Sequence, residues 1–372
     1  MKQFLFAHSA NKSTKDLLKD CIEQLGNIPA EASLGFIYIS DLLLDDAIEI
    51  LDHLKHHTGL TQWVGSVGMG LIATQQEYYN QKAIVIMVAD FNEADFHILP
   101  NITETNLSLS DDILTWCNNN EFTVGLTHGD PDNPELQSII RQLGHDIPRA
   151  FLVGGISSSH QHTLQFANAP LQGGMSGVLF SPNISILSNL SQGCTPIGSR
   201  HRVTDSENNV VRSLDNKPAL DVLLSDAGQN IARDWTQSSN HIFVGLINKN
   251  TDVDDYTVRQ LMGIDPDNKA IAIADFLEHD QEIVFCRRDA NSATEDMQRM
   301  LEQLKSRITS PIKGAIYISC MGRGREQFGI NSEETRLIHS VLGDFPLIGF
   351  FANGEIHKNL LYGFTGVLTL FS

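Results

Sequence analysis

The chain has 372 residues, 41% of them apolar, and 26 basic against 45 acidic side chains leave a formal charge of −19. That charge repels phosphate backbones and anionic lipid surfaces at long range, which argues against nucleic acid and membrane partners. The length allows one large core or two medium ones, and two lobes are expected.

No run approaches the ~18 apolar residues that cross a bilayer, and the apolar part of the opening MKQFLFAHSANKST is too short for a secretory signal. A cytoplasmic location is expected. Taken in chain order, a pattern recurs: apolar strand, turn, amphipathic helix, second strand running into glycine, third strand. LGFIYIS (34 to 40), a helical stretch near 43 to 57, QWVGSVGMG (62 to 70) and AIVIMVADF (83 to 91) form the first copy. FTVGLTH (122 to 128), a helix opened by Asn133 and Pro134, RAFLVGGISS (149 to 158) and GMSGVLFS (174 to 181) form the second. KGAIYISC (313 to 320), a helix from Ser332 to Leu342, FPLIGFFANGEI (345 to 356) and YGFTGVLTLF (362 to 371) form the last, and a less regular fourth starts at HIFVGLIN (241 to 248).

In the three clear copies first and second strands start about 30 residues apart, the length of a right-handed parallel crossover. Asn133 before Pro134 is an N-cap with a first-turn proline, and Ser332 with Glu333 and Glu334 places carboxylates at a positive helix end. Several strands are apolar on both faces, as in sheets covered on both sides. The expected fold is α/β, with repeated strand-helix-strand-strand units forming mixed sheets covered by helices in two lobes. Between 192 and 217 the sequence turns polar and turn-rich, reading as a connector in which VVRSL is a possible short strand, until Pro218 opens the helical PALDVLLSDAGQNIARDW. The lobe boundary is placed there.

Cys21, Cys117, Cys194, Cys286 and Cys320 are odd in number and contain no C-x-x-C pair, so they read as reduced thiols and exclude a cysteine-built zinc site. In ISCMGRGREQFG (318 to 329) no lysine leads into a helix and no third glycine completes a dinucleotide fingerprint, which argues against a phosphate loop. What remains is Cys320 at the carboxyl end of a parallel strand, where open α/β sheets place ligands, followed by Arg323 and Arg325. Either arginine could lower a thiol pKa or clamp a carboxylate, and Cys320 reads equally as a small buried hydrophobe. Glu355, at the end of GFFANGEI, comes near Arg323 if the two strands are neighbours; such a pair suits a zwitterion, or is an ordinary structural ion pair. His160 and His162 lack a third metal ligand, and His56 and His57 fit the negative end of a helix. The serines of 65 to 68 and 174 to 177 miss the Gly-x-Ser-x-Gly spacing, which leaves a cysteine-dependent hydrolase as a minor alternative.

Three stretches in this order, QGCTPIGSRHRVTD (192 to 205) with NNVVRSLDNKPALDVL (208 to 223), GAIYISCMGRGREQFG (314 to 329), and PLIGFFANGEIHKNLLYGFTGVLTLF (346 to 371), resemble the FIST family. GLTQWVGSVGMGLIAT (59 to 74) and AIVIMVADF look like the glycine-rich strand pair of its N-terminal domain. The resemblance is to N-terminal and C-terminal FIST domains in tandem, divided as 1–205 and 206–372. It implies a sensory protein of signal transduction that binds a small ligand such as an amino acid. One branch is similar to haem-binding nitric oxide sensors, for which no axial ligand is singled out here. No kinase, methyl-accepting or cyclase segment is seen in the chain, so output is expected through a separate signalling protein such as a kinase or cyclase. Motif position nominates Cys194, Pro196 and Gly198, then Cys320, Arg323 and Arg325, then Asn353, Gly354 and Glu355 as ligand-binding residues, with Arg323 on an anionic and Glu355 on a cationic group and no catalytic turnover.

Overall fold

The computed structural model describes residues 2–105, 109–147, 149–228, 241–247 and 256–372. Packing divides them into two compact units, one of residues up to Ser191 with Gln298–Leu361 and Thr365–Ser372, the other of Gln192–Met297 with Tyr362–Phe364.

The first unit carries three six-stranded mixed sheets, each built on a parallel pair. Leu34–Ser40 lies beside Trp63–Gly68, Thr123–Gly129 beside Ala150–Ile156, and Gly314–Cys320 beside Leu347–Ala352. A helix joins the strands of each pair: Ala47–Thr58, Leu136–Asp146 and Glu333–Leu342. These are the three crossovers expected from the strand and helix spacing, and their central strands are buried almost throughout because both faces are apolar. Each second strand has a glycine at the same register, and a Cβ there would fall within 2 Å of a first-strand carbonyl: Ile37 for Gly65, Thr127 for Gly154 and Tyr317 for Gly349. Close backbone approach requires glycine at these three places.

After its second parallel strand the chain leaves its sheet each time and adds a short hairpin to another. From Gly68 it passes to Gly70–Ala73 and Gln76–Tyr79, which extend the sheet of Leu347–Ala352. From Ile156 it passes to Gln165–Ala167 and Pro170–Leu171, beside Trp63–Gly68. From Ala352 it passes to Glu355–His357 and Leu360–Tyr362, beside Ala150–Ile156. Each sheet therefore receives its hairpin from a different crossover, and the three second-strand ends are the points of exchange.

The second unit is a seven-stranded sheet with exclusively antiparallel pairings among the described residues. Thr195–Glu207 pairs with Glu282–Arg287 on one side and with Val210–Leu214 on the other, so the sheet closes on itself and sheds edges. Two expectations are corrected here. The polar stretch after 192 is not a connector but this 13-residue strand, which hides only Val203 fully and so shows little apolar alternation; VVRSL is a strand. The stretch from 241 opens no fourth crossover: Ile242–Ile247 pairs antiparallel with Tyr256–Asp265 and Glu282–Arg287. The helix expected after Pro218 is present as Ala219–Ala227, while 229 to 235 and Asn248 lie outside the described residues.

Candidate functional site

The three points of exchange meet. Ser158, just past Ala150–Ile156, donates its hydroxyl to the Phe351 carbonyl of the third crossover and accepts from Met69 N–H of the first at 2.9 Å. Asn353 N–H donates to the Ile156 carbonyl at 2.9 Å, and Ile156 N–H to the Gly354 carbonyl at 2.8 Å. One serine and a few backbone bonds thus tie the carboxyl ends of the second strands of all three parallel pairs.

A cleft of about 190 Å³ opens at this junction. Met69 comes from the first crossover, Asp132 and Ser157 to Ser159 from the second, Met321 and Asn353 from the third. The carboxyl ends of parallel strands are where open α/β sheets bind ligands, because the chain turns away there and leaves backbone groups and loop side chains facing a crevice. Behind the wall, Ser157 Oγ shares a hydrogen bond with Ser66 Oγ at 2.8 Å and accepts from Gln165 Nε2 at 2.9 Å. Thr163 lines the cleft, is only 4% exposed, and its hydroxyl has no partner among the described residues. A buried hydroxyl without a partner is a cost that a bound polar group would remove. Asp132, exposed, is the single charged residue of the wall.

The motif residues of the third crossover lie directly behind. Arg323 is 0% exposed; its Nε donates to Glu334 Oε1 at 2.8 Å, its Nη atoms reach Ser191, and its guanidinium lies 4.9 Å from the Phe328 ring centre. Glu334 Oε1 also accepts from Tyr317 at 2.6 Å and Ser319 at 2.9 Å, and Oε2 accepts from Gly324 N–H at 2.8 Å. The Glu355 carboxyl accepts from Thr365 N–H and Oγ1, has the Cys320 side chain hydrogen-bonded to it, and feels the Arg323 charge. Burial pushes Glu355 up to about 8, against the pull of Thr365 and Arg323. Glu77 extends the network: burial, then the nearby Glu334 charge, push it up to about 7, while it accepts from Tyr79 and from Thr335 at the amino end of the Glu333–Leu342 helix. That helix end is served by Glu77. Ser332 instead takes φ 60 and accepts from Glu77 N–H, and Glu334 turns to Arg323.

The structure therefore brings Arg323 and Glu355 together as a buried framework with the half-buried Cys320 beside them, Gly354 at its rim and Asn353 projecting to the cleft. Arg325 stays at the surface over the Tyr79 ring at 4.7 Å. Cys194, Pro196 and Gly198 belong to the other compact unit. There the Cys194 carbonyl accepts from Tyr256 Oη, Pro196 pairs with Cys286, and Gly198, at φ 74 in a bulge, makes room for the Asp226 carboxylate. Ser158, Thr163 and Asp132 were not singled out by sequence reasoning, and Glu334 was read only as a helix-start carboxylate. The serine run directly after a second parallel strand was the available signal. His160 is held by Asp41 through both its backbone N–H and its ring, and among the described residues no group of three or more metal-ligating side chains assembles.

Haem does not fit this cleft. The side chains of its wall that could ligate a haem iron are the thioethers Met69 and Met321, with no histidine, cysteine or tyrosine beside them; the rest is dominated by serine, threonine and amide side chains where a porphyrin needs apolar surface, and the cleft is smaller than the ~300 Å³ at which drug-sized pockets begin. Among the described residues no helix is long and apolar enough to cross a membrane.

Two family models match the chain, the FIST N domain over residues 33–217 and the FIST C domain over residues 219–358. An uncharacterized protein of Mycobacterium tuberculosis is 29% identical over 364 residues, covering 94% of this chain and 93% of the relative. An uncharacterized protein of Mycobacterium bovis is 26% identical over 382 residues, covering 96% and 97%. The chain belongs to the FIST family, whose domains serve generally as sensory, small-ligand-binding modules of signal transduction.

Proposed function

We propose that the chain is a sensor whose ligand, an amino acid or similarly small polar metabolite, binds in the cleft at the junction of the three crossovers. The observation that carries this reading is Thr163, a buried hydroxyl without a partner among the described residues, in the wall of a crevice at parallel strand ends. In this reading Asp132 holds the ammonium group, because it is the one charge in the wall, and Asn353 with Ser159 and Gln161 meets the remaining polar atoms. Arg323 and Glu355 take part from behind, by fixing the loops that carry Met321 and Asn353.

Sensing without turnover needs no nucleophile, and the Cys320 side chain is engaged with Glu355. A thermal-shift screen of the full chain against the common amino acids and their des-amino counterparts tests the reading, since a ligand bound only by the native state raises the melting temperature. At least one amino acid raises it, its des-amino counterpart does not, and Asp132→Asn abolishes the difference. Absence of any shift across the panel at millimolar concentration would refute the ligand class.

A further inference from the structure

A second cleft in the same unit, about 320 Å³, shares no residue with the first and has the opposite chemistry. Phe122, Val124, Phe151 and Ile186 form an apolar lining, and the charged residues of the wall are Arg149 and Arg307. A wall with two guanidiniums and no carboxylate stands out in a chain of formal charge −19. Phe122 is 40% exposed, and the Phe151 ring is held edge-on to His357 at 5.2 Å. Arg149 sits at φ 51, a backbone conformation that disfavours a side chain, and its Nη1 donates to the Glu121 carbonyl at 3.0 Å, which anchors the guanidinium near the cleft. The Ser188 hydroxyl is engaged with the Leu368 carbonyl at 3.1 Å and with Thr369 Oγ1 at 3.2 Å.

We propose that this cleft binds an apolar carboxylate, an aromatic ring on a short chain ending in a carboxylate, with the ring against Phe122 and Phe151 and the carboxylate on Arg149 and Arg307. Aromatic side chains favour offset or edge-on contact with a ring, and guanidiniums bind a carboxylate through paired N–H donors. The volume lies at the lower end for small-molecule pockets, which suits a single ring. The site is independent of the amino-acid cleft, so either can fail without the other.

Calorimetry on the full chain with 3-phenylpropanoate and its uncharged amide tests the proposal. The acid binds saturably and the amide about tenfold or more weaker, as expected when charge-assisted bonds are lost. Arg307→Gln and Arg149→Gly each weaken the acid about fivefold or more and leave the amide where it was. Glycine is chosen at 149 because it takes φ 51 without strain, so an unchanged melting temperature certifies the fold. Equal affinity for acid and amide, no saturable heat with the acid at millimolar concentration, or acid affinity unmoved in Arg307→Gln would each overturn it.

Discussion

The Arg323 network and the Ser158 cleft lie back to back on the same loops, and they treat polar groups in opposite ways. Around Arg323 a buried carboxylate accepts from an arginine, a tyrosine, a serine and a backbone amide, and no solvent reaches the guanidinium. Around Ser158 the wall keeps a buried hydroxyl without a partner among the described residues and an exposed carboxylate. Burying an ion pair costs several kcal/mol of desolvation per ion unless its geometry is complete, so such a network is suited to holding shape. Open polar groups in a crevice are suited to receiving a partner. Arg323 and Glu355, which look most like ligand clamps in sequence, are both fully buried, and in the proposed reading the ligand meets their less conspicuous neighbours.

The comparison breaks most readily at Arg323. Arg323→Met leaves Glu334 buried without its counter-charge, and urea unfolding is expected to show a loss of about 3–5 kcal/mol. The double variant Arg323→Met with Glu334→Leu recovers only part of it, because Tyr317, Ser319 and the Gly324 N–H then lose their shared acceptor. A loss below about 1 kcal/mol in the single variant would remove the framework role. A smaller loss is expected from Ser158→Ala, which leaves Met69 N–H and the Phe351 carbonyl unpaired: about 1–3 kcal/mol, measured the same way.

Next comes the pH dependence of stability. Glu355, at about 8 in the folded chain against an ordinary 4.5, keeps a proton that the unfolded chain has lost, so its contribution falls as pH rises between those values; Glu77 acts likewise up to about 7. His128 and His357, pushed down to about 3 by burial, work the other way, because below 6.5 the unfolded chain takes protons that the folded chain refuses. Above 6.5 these two histidines drop out, but His201, raised above its ordinary 6.5 against burial by Asp215 and Asp226, loses stabilisation alongside the carboxyls, so the share of Glu355 is read from its own variant. Between 6.5 and 8 the wild type loses roughly 1 kcal/mol per pH unit, and Glu355→Gln flattens the decline. An identical slope in the variant would show that Glu355 is not the titrating group.

The parallel crossovers were legible because strand, helix and second strand lie within about 30 residues and each strand is apolar on both faces. The approach of Glu355 to Arg323 was also legible, from the strand-end positions of their motifs. The hairpin exchange was not: Glu355–His357 is three residues long and pairs with Ala150–Ile156 some 200 positions earlier, and no local pattern encodes such a pairing. Glu334 read as a helix-start carboxylate because that is the common role of its position, whereas its tertiary partner Arg323 decides its direction. Thr195–Glu207 read as a connector because a strand with a mostly exposed face lacks the apolar alternation that marks buried ones. Thr163 was hidden in a serine-rich loop, where only the surrounding fold shows that its hydroxyl is buried.

The smallest effect on stability and the most telling on function belong to Thr163→Val. The change removes a hydroxyl with no partner among the described residues at nearly constant shape, so the melting temperature should hold or rise. Calorimetric titration of this variant with the amino acid that best raises the wild-type melting temperature is the direct test of the cleft. An affinity weaker by about threefold to tenfold, with the fold intact, is the predicted result. Unchanged affinity in Thr163→Val would contradict the assignment of the ligand to this cleft.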